Sequence, residues 1–514
     1  MTAGTELSMG RLMAELSRHG DRPALAWPGG ELSYNDLLAR SRRLADALRG
    51  LGLRPGQAVA FLLPNSDTIV TCYVACALSG FVGVPLGTRL KADDFVHQLA
   101  DSSVLAVVFA EEFAETVSEL RTRSPQVQHW IAAGACSRSS VAGAPLFEEL
   151  LAAASDAPPD HTPAPRDPFC VMYTGGTTGA SKAAVQTHQG WASCVLDTVE
   201  ELGYEAGDRH VAVLPMTHAA WFTVAAMLHA GGLTHILPRW NAAEMLQLVQ
   251  RERLTKLHVI PSLLGDLLAV PEIDTTELSS VQLLTLAGSP IPLEMYRRAT
   301  ALFGPIIGNI YGLTEAAGPV TYLMPRELDE KTLPSVGHVG RYCEVGIVDD
   351  DALLVEAGTV GEVVLRGPQV TPGYLNRPEE NQKAFRDGWF FTGDLGYLDD
   401  SSFLFVIDRK KDMIKTGGLN VYPKEIEEVL YAQAGVREAA VVGVPHPRWI
   451  ESVVAVVVVD PGQYGPTPDE LESACRRLLA GYKVPKEIHL LESLPRTRFG
   501  KFDKVALRKA FSPS

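Results

Sequence analysis

Seven cysteines in 514 residues include no Cys-x-x-Cys pair, so neighbouring thiols offer neither a metal knuckle nor a redox dithiol. The nearest two, Cys72 and Cys76, stand one helical turn apart in an apolar segment and read as core thiols, with a reducing cytoplasm as the expected compartment. Positive charge is also short. Lys and Arg number 46 against 61 Asp and Glu, and the net charge of −15 argues against a general nucleic-acid binder or a protein adsorbed on anionic lipid. The longest apolar tract, residues 69–86, is broken by small residues and glycine and reads as a buried helix and strand, so no membrane span is expected. The first 16 residues lack a basic stretch followed by an apolar one, the mark of a secretory signal. Internal repeats and coiled-coil heptads are missing too.

What remains is a chain too long for one ordinary core, with 46% hydrophobic residues to bury. Strand-like runs at 58–63 and 105–109 alternate with helical spacing such as that over 34–49, which predicts an α/β fold with a parallel sheet covered by helices. Residues 132–168 shift toward Ala, Ser and Pro and read as a linker or surface excursion. Charge divides unevenly. From Arg409 onward 17 basic residues face 13 acidic ones, a net of +4 against −19 for the rest. A solvated basic surface gives that balance, as does a module that meets anionic ligands.

The linker delivers the chain to Tyr173-Thr174-Gly175-Gly176-Thr177-Thr178-Gly179-Ala180-Ser181-Lys182, directly after the apolar run 169–172. Glycines let a backbone approach a ligand closely, and the hydroxyls and lysine add donors, so the composition suits a polyanion such as a triphosphate. A flexible surface turn has a similar composition. It is not a P-loop, which needs four residues between its first Gly and a Gly-Lys pair. Downstream stand Tyr311-Gly312-Leu313-Thr314-Glu315, Phe391-Thr392-Gly393-Asp394, Asp408-Arg409-Lys410-Lys411-Asp412, Gly417-Gly418-Leu419-Asn420-Val421-Tyr422-Pro423 and Pro495-Arg496-Thr497-Arg498-Phe499-Gly500-Lys501.

Together, and in this order, the motifs resemble those of the adenylate-forming superfamily, which holds acyl-CoA synthetases, carrier-protein-loading adenylation domains and luciferases. The signature loop departs from Tyr-Thr-Ser-Gly-Thr-Thr-Gly-x-Pro-Lys-Gly at Gly176, Ser181 and Ala183, keeping the Thr-Thr-Gly core and the lysine. The resemblance implies a large N-terminal domain of several subdomains, residues 1–408, and a small mobile α+β C-terminal domain, residues 409–514, with its hinge near Lys411.

It also implies site residues. Thr174, Gly175, Gly176, Thr177, Thr178, Gly179 and Lys182 would cradle the phosphates of ATP. Gly288, Ser289 and Pro290, at the end of an expected strand over 283–290, would line the adenine together with Asn309, Tyr311 and Gly312. Thr314 would donate to a phosphate and Glu315 hold Mg²⁺, while Asp394 and Arg409 would contact the ribose. Residues 211–218 read as a strand ending in His218, a gate of the acyl pocket in the resembling family. Trp221 and Phe222 would shorten that pocket, which Gly288, Gly312 and Gly318 would also line. Lys415, Gly417, Gly418 and Lys483 would meet CoA, and Lys501 would be the catalytic lysine.

The expected activity is therefore ATP-dependent ligation of a compact aromatic or medium-chain acid to CoA through an acyl-adenylate. Transfer to a carrier-protein thiol, nitrite activation for diazotisation of an aromatic amine, and nucleotide binding without catalysis are the other readings. The motifs leave the oligomeric state open.

Overall fold

The structure, a computed structural model, describes residues 7–134, 141, 143–174, 181–218, 220–288, 291–329, 331–459, 465–496 and 502–512. Two sheets form the frame of the large domain. One has six strands in the order His129–Ala133, Val104–Ala110, Ala58–Leu62, Val82–Pro85, Pro168–Thr174 and Lys182–Thr187. The first five run parallel and the last returns antiparallel. The other sheet has nine strands, with Ile307–Leu313 and Gly318–Leu323 toward one edge and Lys256–Val259, Arg209–Ala212 and Leu233–Ile236 at its centre. A smaller sheet that includes Trp389–Leu398 and Leu404–Arg409 follows.

Within the run 58–63, Ala58–Leu62 forms a strand buried throughout, because it has neighbours on both edges and a core on both faces. Tyr34–Gly50 is the amphipathic helix its spacing calls for, and Ser33 and Asp36 close a capping box at its start. The tract 69–86 divides into helix Asp67–Ser79 and strand Val82–Pro85, turned by Gly80 in a left-handed conformation. Among the described residues no helix is long and apolar enough to cross a membrane, and the six cysteines described are free and buried.

Two expectations need correction. The segment 132–168 is not a bare linker: it contains the helix Phe147–Ala153, which buries Phe147 and Leu151. An i, i+4 apolar pair suffices to seat a short helix on the core even in an Ala- and Ser-rich stretch. The strand expected over 211–218 is Arg209–Ala212 and stops six residues short of His218, where a chain turn begins.

The C-terminal domain is a separate small α+β unit. Its long hairpin, Val436–His446 with Ile450–Val459, has a register shift between Val436 and Glu438 and alternates between two faces from Ala439 on. Ala439, Val441, Val453, Ala455 and Val457 pack one face under helices Pro423–Tyr431 and Pro468–Leu478, while Ala440, Val442, Val454, Val456 and Val458 pack the other beneath Leu507 of helix Lys504–Phe511. The period-two alternation gives the domain its own interior on each side of the sheet.

Candidate functional site

Thr174 ends the last parallel strand of the six-stranded sheet and pairs in register with Lys182, which opens the returning strand. The signature loop thus hangs from the carboxyl end of a parallel strand, the sheet end where α/β proteins bind ligands. Gly175, Gly176, Thr177, Thr178 and Gly179 lie outside the described residues. The flanks are held. Tyr173, buried, places its hydroxyl 2.7 Å from Ser102 Oγ and 3.2 Å from Asp101 Oδ2, and Thr174 Oγ1 donates to Lys182 O at 3.4 Å.

The facing wall comes from the nine-stranded sheet. Strand Ile307–Leu313 supplies buried Asn309, then Tyr311 and Gly312, and a 3₁₀ turn over Thr314–Ala316 sets Thr314 and Glu315 at its end. A Cβ on Gly312 would collide with the carbonyl of Gly318 across the pair, so only glycine fits there. The Tyr311 hydroxyl donates to Asp394 Oδ2 at 2.6 Å, and Arg409 Nε forms an ion pair with Asp394 Oδ1 at 2.8 Å. Asp394 and Arg409 are cross-strand partners, which is why two motifs fifteen residues apart meet. Burial, and then the Asp394 charge, push the Tyr311 phenol well above its ordinary range, so it remains a donor.

Glu315 is held at both ends. Its carbonyl accepts from the Thr371 N–H at 2.7 Å, and its Oε1 accepts from the Tyr374 hydroxyl at 2.8 Å. The Lys182 ammonium stands 5.3 Å from the centroid of that same Tyr374 ring. The carbonyl of Thr314 accepts from the Gln186 side-chain amide. Direct contacts thereby form two groups, Lys182–Tyr374–Glu315 and Tyr311–Asp394–Arg409, with Tyr374 as the member absent from the sequence reading. No spacing marks it: its partners, Lys182 on a strand and Glu315 on a 3₁₀ turn, are far from it in sequence.

On the expected acid side, His218 is half-buried, its Nδ1 3.2 Å from Thr217 Oγ1. Gly288 has φ +86°, a conformation that favours glycine, and Ser289 and Pro290 lie outside the described residues. Gly318 lies against Phe222 and Cys194: a Cβ there would stand 2.7 Å from Cys194 Sγ and 3.5 Å from the Phe222 side chain. Phe222 meets His258 edge-on at 5.2 Å. Trp221 departs from expectation. It is wholly buried and stacked on Tyr73 at 4.4 Å and 8°, so it is part of the core and not a pocket wall. Trp221→Gly is therefore expected to lower unfolding free energy by about 3–5 kcal/mol in urea melts and to leave acid preference unchanged. Broader acid acceptance at full stability would contradict this placement.

In the C-terminal domain, Gly417 and Gly418 turn tightly with φ +58° and +82°, and nothing stands within 4 Å of where their Cβ atoms would be. Lys415 gives its backbone N–H to Glu451. Lys483 is already engaged, donating to both oxygens of Glu425 at 2.7 Å. A platform that the sequence reading missed lies alongside. Trp449 stacks on His446 at 4.3 Å, has Lys486 5.6 Å and Arg448 6.0 Å from its ring, and accepts the Gly417 N–H at 2.9 Å. The string His446-Pro447-Arg448-Trp449, an aromatic among basic residues, was its signal. The Lys411 carbonyl accepts from Arg508 at 3.4 Å, and burial lowers the Lys411 ammonium below the usual lysine range. Lys501 lies outside the described residues. Among the described residues no cluster of three or more His, Cys, Asp or Glu could hold a metal by itself.

The family model for an AMP-binding enzyme matches residues 12–375, and that for the AMP-binding enzyme C-terminal domain matches residues 425–501. A feruloyl-CoA synthase of an Amycolatopsis species is 36% identical over 501 residues, covering 97% of each chain. A long-chain-fatty-acid–CoA ligase of Mycobacterium tuberculosis is 33% identical, covering 94% of this chain and 93% of that one. ATP-bound MatB from Rhodopseudomonas palustris superposes with a TM-score of 0.89 at 28% identity, over 98% of this chain and 99% of that one.

Proposed function

Since this chain belongs to the AMP-binding enzyme family, we propose that it is an AMP-forming acid–CoA ligase acting on a compact acid, aromatic or medium-chain. The single observation that supports this most is that residues of separate motifs meet, Lys182 with Glu315 through Tyr374, and Tyr311 with Arg409 through Asp394.

ATP binds with its phosphates along the signature loop and Lys182. Asp394, aligned by Tyr311 and Arg409, accepts from the ribose hydroxyls. Glu315 is the residue that would hold Mg²⁺; one carboxylate beside phosphate oxygens and waters suits a small hard cation, and the ion supplies charge neutralisation at the phosphates. The acid's carboxylate oxygen bonds to the α-phosphorus as the bond to pyrophosphate breaks. No protein nucleophile is needed, because positioning and charge stabilisation do the catalysis, with Lys501 bridging carboxylate and α-phosphate. The sulfur of CoA then bonds to the acyl carbon as the bond to AMP breaks, and the thiol proton is released to solvent.

For that second step the chain beyond Lys411 turns relative to the part before it, leaving Arg409 on Asp394, taking Lys501 away and presenting Gly417-Gly418 to the thiol arm. The Trp449 platform, with Lys486 and Arg448, offers a stacking face and cations to the nucleotide end of CoA. The preference for a compact acid rests on Phe222 and Cys194 closing against Gly318, with His258 behind Phe222.

The test is acid-dependent pyrophosphate exchange over a panel of aromatic, medium-chain and long-chain acids, followed by mass detection of the acyl-CoA. A preference for palmitate-length chains would remove the compact acid. If saturating CoA yields no acyl-CoA while a carrier protein, or an amine with nitrite, drives AMP release, the acceptor is not CoA.

A further inference from the structure

Two charged groups of the site, the Lys182 ammonium and the Glu315 carboxylate, meet on one side chain. Lys182 Nζ faces the Tyr374 ring at 5.3 Å from its centroid, and the Tyr374 hydroxyl donates to Glu315 Oε1 at 2.8 Å. Each half of the ring is matched to its neighbour: the negative face of the π system to a cation, the O–H to an anion.

The backbone that carries the ring is fixed by hydrogen bonds. The Asn381 side chain accepts the Tyr374 N–H at 2.7 Å and donates to its carbonyl at 2.9 Å. One residue on, the Leu375 N–H donates to Ala183 O at 2.8 Å, beside Lys182. Arg377 donates to Asp101 Oδ1 at 3.1 Å, and the other oxygen of Asp101 lies 3.2 Å from the Tyr173 hydroxyl. Residues 371–377 therefore touch Glu315 on one side and, on the other, the flank of the signature loop at Lys182 and Ala183 directly and the flank at Tyr173 through Asp101. None of the recognised motifs includes this segment.

A lysine and a glutamate sharing a cleft attract each other, and a direct ion pair would occupy both charges. We propose that Tyr374 is a positioning residue for ATP activation, a spacer that keeps Lys182 directed at the phosphates and Glu315 at their metal instead of at each other. The proposal rests on the ligase reading above and deepens it.

Equilibrium binding separates the two halves of the ring. ATP binding is measured by calorimetry without metal and with Mn²⁺ in place of Mg²⁺, on the wild type, Tyr374→Phe and Tyr374→Leu. Tyr374→Phe keeps the face and loses the donor, so Mn²⁺–ATP should bind about tenfold more weakly, the effect of one lost bond to a charged group, with metal-free ATP unchanged. Tyr374→Leu also strips the seat of Lys182, so metal-free ATP should weaken as well, again by about tenfold. A Tyr374→Phe unfolding midpoint matching the wild type would exclude general damage. The proposal fails if Tyr374→Phe binds Mn²⁺–ATP like the wild type, or if it loses metal-free and metal-bound ATP equally. Should the wild type form no acyl-adenylate, the ligase reading falls, while the binding split still reports on Tyr374.

Discussion

Lys501→Ala is expected to slow acyl-adenylate formation by on the order of 10²- to 10³-fold, the scale of losing one preorganised charge-stabilising donor. Thioester formation from preformed acyl-adenylate should continue at close to the wild-type rate. The asymmetry follows from the chemistry. In the first step two anionic groups, a carboxylate and an α-phosphate, are forced together, and a cation between them offsets charge where it builds up. In the second step the electrophile is already activated and the nucleophile is a thiol. The two half-reactions can be assayed apart, by pyrophosphate exchange and by single turnover from synthetic acyl-adenylate. Equal loss in both would remove Lys501 from the first step.

Asp394→Ala should raise the KM for ATP by on the order of 10²-fold and leave that for the acid nearly unchanged. Bonds to a charged acceptor contribute about 1.5–3 kcal/mol each, and a tenfold change in affinity corresponds to about 1.4 kcal/mol. Asp394 is 4% exposed and its two oxygens are oriented by Tyr311 and Arg409, so its carboxylate is fixed before the sugar arrives. A nucleotide without ribose hydroxyls provides the second arm. 2′,3′-Dideoxy-ATP should bind the wild type about as poorly as ATP binds the variant, and the variant should not distinguish the two. Continued discrimination by Asp394→Ala would place the sugar elsewhere.

How much of this was legible depended on whether the signal was local. Helix Tyr34–Gly50 follows from its spacing, and Asp394 and Arg409 stand in recognisable motifs that an antiparallel register then brings side by side. Trp221 and Phe222 show the limit. They are neighbours in sequence, yet one stacks on Tyr73 while the other lies against Gly318 and His258, because adjacent positions on a helix point about 100° apart. Composition identified two aromatics near a pocket and could not say which side either faced. Lys483 looked available in the sequence and is paired with Glu425, a partner 58 residues away. Tyr374 is 59 residues from Glu315 and becomes visible only when two sheets are packed together.

The C-terminal domain fills both faces of its sheet with its own valines, leucines and alanines. Its apolar interior therefore ends where the unit ends. That makes it an exchangeable cassette: a junction just after Arg409 could join the larger part of this chain, the proposed seat of acid selection, to another relative's terminal unit without opening either core. Choice of acid and choice of thiol would then be inherited separately, free to recombine in evolution or at the bench.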